Sequence, residues 1–372
     1  MNSKRHVLFF RWFLRARLQV NKEAPDCAPF VQESRIAPPR LRSLARPLDS
    51  LGATNAADRC YKAPVTNVLV TGGTGFIGSR LVTALNEQGH FVSVMGRDER
   101  RIRERFGGAV RCLQWDPLES GNWTTEMGRH SVIIHLAGEP AVGRRLNEGV
   151  RQLVRNSRVR STRRIVDAIG QAEHKPETLL CASAVGFYGA HSEGVPLNES
   201  SPGGKGFLAE LCHEWEEAAM RAELFGVRVV LLRFGIAIGE NGGVLARLLP
   251  LFKLGFGGRI GNGRQPMPWI AIDDVVGAIQ FCMSHQTLRG PVNLVSPTPA
   301  TNAQFTQELA NVVHRPALLQ VPAFALRLAL GDGADALLEG QNVEPAALLR
   351  EGYEFKYPSL NQALTAAVAK SM

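Results

Sequence analysis

The feature that most constrains the fold is a glycine-rich motif, TGGTGFIG, at residues 71–78. It follows a short apolar stretch at 67–71, which predicts a buried strand, and it opens a helical pattern that runs to Gln88. Glycines here allow a tight turn and a close approach of pyrophosphate to the backbone, while the helix offers free N–H groups and its positive dipole end. In this strand–turn–helix context the motif predicts a βαβ unit that binds a dinucleotide.

Further apolar stretches alternate with helical patterns along the chain. The predicted strands lie at 90–96, 110–116, 131–138, 178–186 and 227–235, and the clearest helical patterns lie at 145–170 and 207–226. Strands that are apolar along their whole length are typical of a parallel sheet covered on both faces. We therefore predict an α/β fold with a Rossmann-type doubly wound parallel sheet, formed by a dinucleotide-binding domain at 65–240, and a smaller C-terminal substrate lobe at 241–372.

The leader, residues 1–64, differs in character from the rest of the chain. It carries 12 basic and five acidic residues, which accounts for +7 of the net charge of +9. The basic residues Lys4, Arg11 and Arg15 share one helical face amid apolar side chains, as in an organellar transit peptide. We predict a transit peptide, or else a disordered leader, that ends near Pro64.

The composition excludes several classes of function. Because the excess positive charge belongs to the leader, the remaining chain is nearly neutral and no nucleic-acid partner is expected. The six cysteines are scattered without a CxxC pair, so neither a zinc site nor a disulfide framework is indicated, and no metal is expected. No uninterrupted apolar run approaches the ~18 residues of a membrane span. The sequence therefore predicts a protein without a membrane span whose partner is a small molecule.

The end of the second predicted strand indicates which dinucleotide binds. Arg97 lies 19 residues after the last motif glycine, Gly78. At this position an acidic side chain would bind the ribose 2′-hydroxyl of NAD, whereas a basic side chain would bind the 2′-phosphate of NADP. Arg97 therefore favours NADP, whereas Asp98 either argues for NAD or caps the next helix. Asp116 ends the third predicted strand, where it either accepts a hydrogen bond from the adenine amino group or forms the turn before Pro117.

With these motifs in place, the chain resembles the extended short-chain dehydrogenase/reductases, and among them the nucleotide-sugar-epimerase-like "epimerase family". The resemblance covers residues 66–368 and rests on an ordered series of motifs: TGGTGFIG, Arg97, LAGEP at 136–140, NSR at 156–158, SAVGFYG at 183–189, ESSPGG at 199–204, WE at 215–216, GNG at 261–263, PWIAIDD at 268–274 and LEGQ at 338–341. Bacterial members have been labelled cell-division inhibitors, and plant members are plastid-targeted. The resemblance also implies a small helical unit, characteristic of this subgroup, from about residue 315 onward.

The spacing argument and the resemblance together give a set of cofactor-binding residues. These are Gly72, Thr74, Gly75, Phe76, Ile77, Gly78, Arg97, Asp116, Leu136, Ala137, Gly138, Arg158, Ile236 and Ala237. The resemblance implies that the glycine motif binds the pyrophosphate and that Arg97 binds the 2′-phosphate. It also implies that Arg158 reaches back towards the cofactor from its helix, and that Ile236 and Ala237 lie beside the nicotinamide.

The usual catalytic pair of this fold is absent. That pair is spelled YxxxK, because a lysine one helical turn after a tyrosine stabilises the tyrosinate. No tyrosine of this chain has a lysine four residues later, and where the pair should fall, Cys212 precedes Glu216. Ser183 stands where the family serine should be, and Tyr188 is the nearest phenol. We predict that Ser183 polarises a carbonyl and that Tyr188 donates the proton; the alternative is that Tyr188 only packs in the cleft.

A glycine-rich stretch at 255–264 predicts a loop over a ligand in the C-terminal lobe. Arg264, at its end, and Trp269, just after it, are the predicted substrate-binding residues. Trp269 either stacks on a ring of the substrate or packs in the core. Asp273 and Asp274 are interpreted as a helix cap and a first-turn charge rather than a catalytic pair.

The sequence thus predicts an organellar NADP(H)-binding oxidoreductase or nucleotide-sugar-type epimerase that acts on an unidentified polar small molecule. The competing interpretation is a non-catalytic NADP-binding regulator, in redox sensing or organelle division, because an intact cofactor motif without YxxxK suits both. The family resemblance favours the chloroplast over the mitochondrion. The oligomeric state, the substrate and the direction of reaction do not follow from the sequence.

Overall fold

The fold is built around a parallel seven-stranded sheet with the strand order β11-β6-β5-β4-β1-β2-β3. The computed structural model describes residues 65–119, 121–143, 145–190 and 194–371, so the predicted leader lies outside the described residues. The strands are β1 Asn67–Thr71, β2 Phe91–Gly96, β3 Arg111–Gln114, β4 Val132–His135, β5 Thr178–Ala184, β6 Arg228–Phe234, β7 Ile236–Ile238, β8 Gly258–Ile260, β9 Pro266–Met267, β10 Trp269–Ala271, β11 Gly290–Leu294, β12 Ala300–Thr301 and β13 Leu319–Val321. The order reverses on either side of β1, which makes this a doubly wound, Rossmann-like sheet and confirms the predicted fold class.

Helices cover both faces of this sheet. They are α1 Phe76–Glu87, α2 Glu99–Phe106, α3 Glu148–Arg155, α4 Ser161–Gln171, α5 Phe207–Met220, α6 Leu245–Lys253, α7 Ile272–Ser284, α8 Asn302–Val312, α9 Ala323–Leu330, α10 Asp335–Leu338, α11 Ala346–Arg350 and α12 Leu360–Ala369. A π-helical turn, Asn156–Arg160, joins α3 to α4, so the helical pattern predicted at 145–170 forms one continuous run with a bulge in it.

The apolar strands form because each of them faces a core on both sides. In β1, Val68 and Val70 pack with α1 and α7, while Leu69 between them packs with α4 and α5. Side chains of a strand alternate between the two faces, so a strand buried on both sides must be apolar throughout. This explains why the strands predicted at 67–71, 90–96, 131–138, 178–186 and 227–235 occur in the main sheet. The strand predicted at 110–116 also occurs there, but as the edge strand β3, in which no residue is buried.

The C-terminal lobe has its own apolar core, to which Trp269, Phe305 and Leu364 contribute. One strand from this part of the chain, β11, pairs in parallel with β6 and completes the main sheet. The sheet therefore draws on residues from both sides of the predicted division at 240, and that division stays a prediction. In the described part of the chain, no helix combines the length and apolar character needed to cross a membrane.

Candidate cofactor and active site

The glycine motif forms a tight turn between β1 and α1 at the carboxyl edge of the sheet. The Gly75 N–H donates to the Gly72 carbonyl at 3.0 Å, and Gly72 has a φ of +70°, which favours glycine. A Cβ on Gly72 would lie 2.8 Å from the Ala137 nitrogen, and one on Gly78 would lie 2.2 Å from the Gly72 oxygen. Thr74 and Gly75 are exposed at the start of α1, where no side chain among the described residues caps the helix. Apart from that of Gly75, the N–H groups at the start of α1 are therefore available to an anion.

Behind the glycine turn, a buried histidine joins the ends of β1 and β4. His135 Nδ1 lies 2.7 Å from Thr71 Oγ1, which also accepts from the Ala137 N–H at 3.3 Å, and His135 Nε2 lies 3.3 Å from Ser161 Oγ. Burial, with a smaller contribution from the charge of Arg158, lowers the pKa of His135 to about 3. This neutral histidine fixes the backbone beside the turn. The sequence analysis did not single it out, although a polar residue ending the apolar run VIIH was a usable signal.

Arg97 lies at the end of β2, as predicted, with a side chain that is 74% exposed. One of its guanidinium nitrogens lies 3.2 Å from an Oε1 of Glu139, in the segment after β4. Asp98 accepts a hydrogen bond from the Arg100 N–H at 3.0 Å and is the N-cap of α2, so the capping interpretation is the one that the structure shows. Arg97 is thus the group at this strand end that is free to turn towards a phosphate.

Two other predicted cofactor residues hold the backbone near the same edge. Asp116 is exposed and accepts from the Leu118 N–H at 2.9 Å, which is the turn role, while its contact with adenine stays a prediction. Arg158 donates to the Glu139 carbonyl at 2.7 Å and lies over the ring of Trp215, 5.1 Å from its centroid. Burial lowers the pKa of Arg158. It supports the segment that follows β4.

A buried network of polar side chains, here called the Ser183 network, lies where β5 ends. Ser183 Oγ donates to Glu216 Oε1 at 2.6 Å, and Arg233 binds both carboxylate oxygens of Glu216 at 2.8 Å each. Because an ionised carboxylate can only accept, the Ser183 proton points at Glu216 and the serine lone pairs are left for another donor. Cys212, one turn before Glu216, has a pKa that burial raises to about 12, so it offers no thiolate.

Tyr188 belongs to the Ser183 network and is fully buried. Its hydroxyl accepts from Arg233 at 3.0 Å and lies 2.7 Å from Asn293 Oδ1 and 3.0 Å from the Asn198 carbonyl, either of which takes its proton. Burial is the largest influence on this phenol and raises its pKa. The sequence leaves two roles open for Tyr188, packing in the cleft and proton donation, and these contacts favour packing. Its role as proton donor stays a prediction.

Phe76, the first residue of α1, is enclosed by a glycine-rich loop after β7. A Cβ on Gly242 would lie 2.0 Å from Phe76 Cδ2, and one on Gly243 would lie 2.9 Å from Phe76 Cε1. Arg80, one turn further along α1, forms an ion pair with the buried Glu240 of the same loop. The loop thus joins α1 to the C-terminal lobe. The sequence analysis missed it, although the run IGENGG after an apolar strand was the available signal.

The remaining predicted residues lie in and around β7 and β10. Ile236 and Ala237 are half-buried in β7, which pairs in parallel with β10. Trp269 in β10 is buried, and its Nε1 donates to the Thr298 carbonyl at 3.0 Å, which favours the core interpretation over stacking on a substrate. Arg264 is exposed. The substrate contacts of Arg264 and Trp269 stay predictions.

Asp274 has a structural function that the sequence did not reveal. The N-cap of α7 is Ala271, so Asp273 and Asp274 both lie in the first turn and neither is the cap. The buried Asp274 carboxylate accepts from the N–H groups of Lys356 at 2.6 Å and Tyr357 at 2.9 Å. Burial raises its pKa and these hydrogen bonds oppose that shift. Asp274 therefore ties a C-terminal segment to α7, one of the helices that cover the main sheet.

Chemically, the carboxyl edge of the sheet combines a glycine turn with exposed N–H groups, an exposed guanidinium paired with Glu139 and, farther along, a buried polar network that contains Ser183. Across the described residues, no group of three or more His, Cys, Asp or Glu side chains is arranged to hold a metal ion. The residues present fit a dinucleotide, because the glycine turn leaves a cradle that a Cβ at Gly72 or Gly78 would disrupt.

Comparisons with known proteins agree with this geometry. Residues 68–294 match the NAD dependent epimerase/dehydratase family, and residues 321–367 match a domain of unknown function, DUF1731. Similar proteins include epimerase family protein ML0860 of Mycobacterium leprae, 40% identical over 82% of this chain and 96% of the relative, and the chloroplastic SDR39U1 homolog of Arabidopsis thaliana, 38% identical over 80% and 86%. The crystal structure of human epimerase family protein SDR39U1 (isoform 2) with NADPH is 33% identical, with a TM-score of 0.71 over 82% of this chain and 99% of that chain.

Proposed function

This chain belongs to the NAD-dependent epimerase/dehydratase family, and on that premise we propose that it is an NADP(H)-binding oxidoreductase or nucleotide-sugar-type epimerase acting on a small polar molecule. The observation that carries the proposal is the glycine turn, which admits no Cβ at Gly72 or Gly78 and presents the uncapped start of α1. A nicotinamide, when bound, supplies a carrier for hydride. The NADPH named with the human relative supports the choice of NADP.

Within this proposal, different residues at the carboxyl edge of the sheet bind different parts of NADP(H). The N–H groups of Thr74 and of Phe76, the first residue of α1, bind pyrophosphate, and Arg97 binds the 2′-phosphate. Ala137 and the half-buried Ala237 flank the path of the cofactor towards the C-terminal lobe. Arg158 acts indirectly, since its hydrogen bond to the Glu139 carbonyl fixes the segment beside the cofactor.

The experiment that tests this proposal is Arg97→Asp, compared for NADPH and NADH. Loss of a charge-assisted bond to the 2′-phosphate is worth about 1.5–3 kcal/mol, so NADPH affinity should fall roughly 10–100-fold while NADH affinity changes little. Fluorescence titration of both cofactors measures this. Arg103→Asp, an exposed arginine on α2 paired with Glu99, is the matched control. An equal loss for NADPH and NADH would remove Arg97 as the discriminating residue.

For the chemical step we propose that Ser183 is the side chain that meets the reacting oxygen. Its proton is engaged by Glu216, so in this arrangement its oxygen accepts from a carbinol O–H, and polarising a carbonyl requires the hydroxyl to turn away from Glu216. Tyr188 as proton donor remains our prediction from the sequence. To act in this way its hydroxyl proton would have to leave Asn293 or Asn198.

A second candidate function is an NADP-binding regulator without turnover. The observation that favours it is the Ser183 network, whose groups hydrogen-bond to one another and replace the tyrosine–lysine pair. Incubation with NADPH and a panel of ketones and nucleotide sugars distinguishes the two functions. Oxidation of NADPH, or epimerisation of a nucleotide sugar, supports the enzyme, whereas NADPH binding with neither reaction supports the regulator.

We also propose that the protein acts in an organelle, the chloroplast before the mitochondrion, as a plant- or algal-type member of its family. The basic, acid-poor composition of the leader supports import. The chloroplastic Arabidopsis relative supports the plastid, although the bacterial relatives show that the family is not confined to plants.

A further inference from the structure

Arg97 and Glu139 stand on opposite sides of the strand that carries the glycine turn. β1 lies between β2 and β4, and its last residue, Thr71, is level with Met95 of β2 and His135 of β4. Arg97 follows β2 and Glu139 follows β4, yet their side chains meet at 3.2 Å. The Arg97–Glu139 bridge therefore crosses the carboxyl end of β1, where the glycine turn begins.

The two ends of this bridge differ in freedom. The Glu139 N–H donates to Ser157 Oγ at 3.0 Å, its carbonyl accepts from Arg158 at 2.7 Å, and its side chain is 27% exposed. Arg97 lies on the surface, and within the described residues Glu139 is the acid that it pairs with. Glu139 is thus the fixed end of the bridge and Arg97 is the arm that can move.

We infer that Glu139 is a specificity-determining residue, which competes with the 2′-phosphate of NADP(H) for the Arg97 guanidinium. This inference rests on the proposed function, since it requires NADP(H) to bind at the glycine turn. A phosphate carries up to two charges and three acceptor oxygens against the single charge of a carboxylate, so it displaces Glu139, whereas NAD(H) has no group at this position that could do so. Glu139 weakens NADP(H) binding by a fixed amount and keeps the cofactor exchangeable.

The test is Glu139→Gln in the full chain, with NADPH and NADH titrated at low ionic strength. An exposed ion pair contributes about 0.2–1 kcal/mol, so NADPH should bind about 1.5- to 5-fold more tightly, and this gain should shrink in ~0.5 M salt. NADH affinity should stay nearly constant. Glu104→Gln, which removes the same charge from an exposed pair with Arg100 on α2, should change neither cofactor.

The decisive measurement repeats Glu139→Gln in a protein that already carries Arg97→Ala. If Glu139 acts through Arg97, adding Glu139→Gln to Arg97→Ala should leave NADPH affinity unchanged. The inference is overturned if Glu139→Gln alone has no effect, or if it tightens NADPH equally in the Arg97→Ala background, which would be a general effect of charge. A parent protein that binds neither NADPH nor NADH would overturn the proposed function, and the inference with it.

Discussion

The glycine turn and the Ser183 network lie at the same edge of one sheet but use their polar groups in opposite ways. At the turn, backbone N–H groups and the Arg97 guanidinium face solvent, and the glycines prevent side chains from filling the space. In the Ser183 network, Ser183, Glu216, Arg233 and Tyr188 are buried and satisfy one another. The glycine turn thus offers exposed donors that suit a ligand of high negative charge. In the Ser183 network, only the lone pairs of Ser183 are left without a hydrogen-bond donor.

This contrast also explains why the missing YxxxK pair matters. A tyrosine–lysine pair lowers the pKa of the phenol because the ammonium charge is not neutralised nearby. Here Glu216 accepts from Nε and Nη2 of Arg233, while Nη1 donates to Tyr188, so the positive charge beside the phenol is largely compensated by a carboxylate. Burial raises the pKa of Tyr188. The network therefore resembles a polar core more than an acid–base site.

The largest effect expected from this difference between the glycine turn and the Ser183 network is at Glu216. Removing it by Glu216→Ala leaves Arg233 as an uncompensated buried charge and should cost about 3–5 kcal/mol of folding free energy. Glu214→Ala on the same helix breaks the pair with Arg155, whose side chains are 38% and 36% exposed, and should cost under about 1 kcal/mol. Urea unfolding of both variants measures the difference. Equal losses would mean that the network does not behave as a buried one.

At the glycine turn, Gly78→Ala should distort the turn and thereby weaken both the fold and ligand binding. The added Cβ meets backbone at 2.2 Å, which cannot be relieved by a side-chain rotation, and such overpacking costs about 1–3 kcal/mol. NADPH affinity should fall about 10–100-fold, as measured by titration. Gly108→Ala is the control, because a Cβ there has open space around it. Unchanged affinity in Gly78→Ala would show that the cradle is not used.

Tyr188→Phe removes one hydroxyl from the Ser183 network. Arg233 loses an acceptor in the interior, and Asn293 or Asn198 loses a donor, so stability should fall by about 1–3 kcal/mol, while NADPH affinity stays constant. If Tyr188 packs, turnover should drop less than about tenfold. Thermal unfolding and steady-state rates give both numbers. A fall of ~10²–10⁴ in turnover would instead identify Tyr188 as the proton donor.

A smaller change in folding stability, per pH unit, is expected from the titration of His135, which contacts Thr71 just before the glycine turn. Burial gives it a pKa of about 3 in the folded chain, against 6.5 when unfolded. Between these values only the unfolded chain takes up the proton, so stability should decrease on acidification below pH 6.5, by up to about 1.4 kcal/mol per pH unit. Unfolding at several pH values measures this slope. His135→Asn should reduce this slope, and an unchanged slope in that variant would contradict the prediction.

The main sheet could be predicted from the sequence wherever a strand is apolar on both faces. β1, β2 and β4 to β6 were predicted within a few residues because their runs are continuous. β11 was not, because GPVNL contains glycine, proline and asparagine, all poor strand formers. It occupies the edge of the sheet, where a proline is tolerated.

The cofactor half of the site was predictable for a related reason. A glycine turn is a local structure, so its signal lies within eight consecutive residues. The Ser183 network depends on partners far apart in the chain, such as Tyr188 and Asn293, which are 105 positions apart. Arg233 inside an apolar strand is a usable signal that a buried acid lies nearby, although the sequence analysis did not use it. Only the fold identifies Glu216 as that acid.

The hydrogen bonds of Asp274 have a consequence for the order in which the newly made chain can complete its fold. When Asp274 is added to the growing chain, the residue whose N–H binds this carboxylate, Lys356, is still 82 positions from being synthesised. Until then Asp274 cannot be buried without losing most of its hydrogen bonds, so water must stay at that end of the helix. Translation of almost the whole chain therefore precedes closure of the native domain, and a nascent chain stalled before residue 356 would remain open at this point.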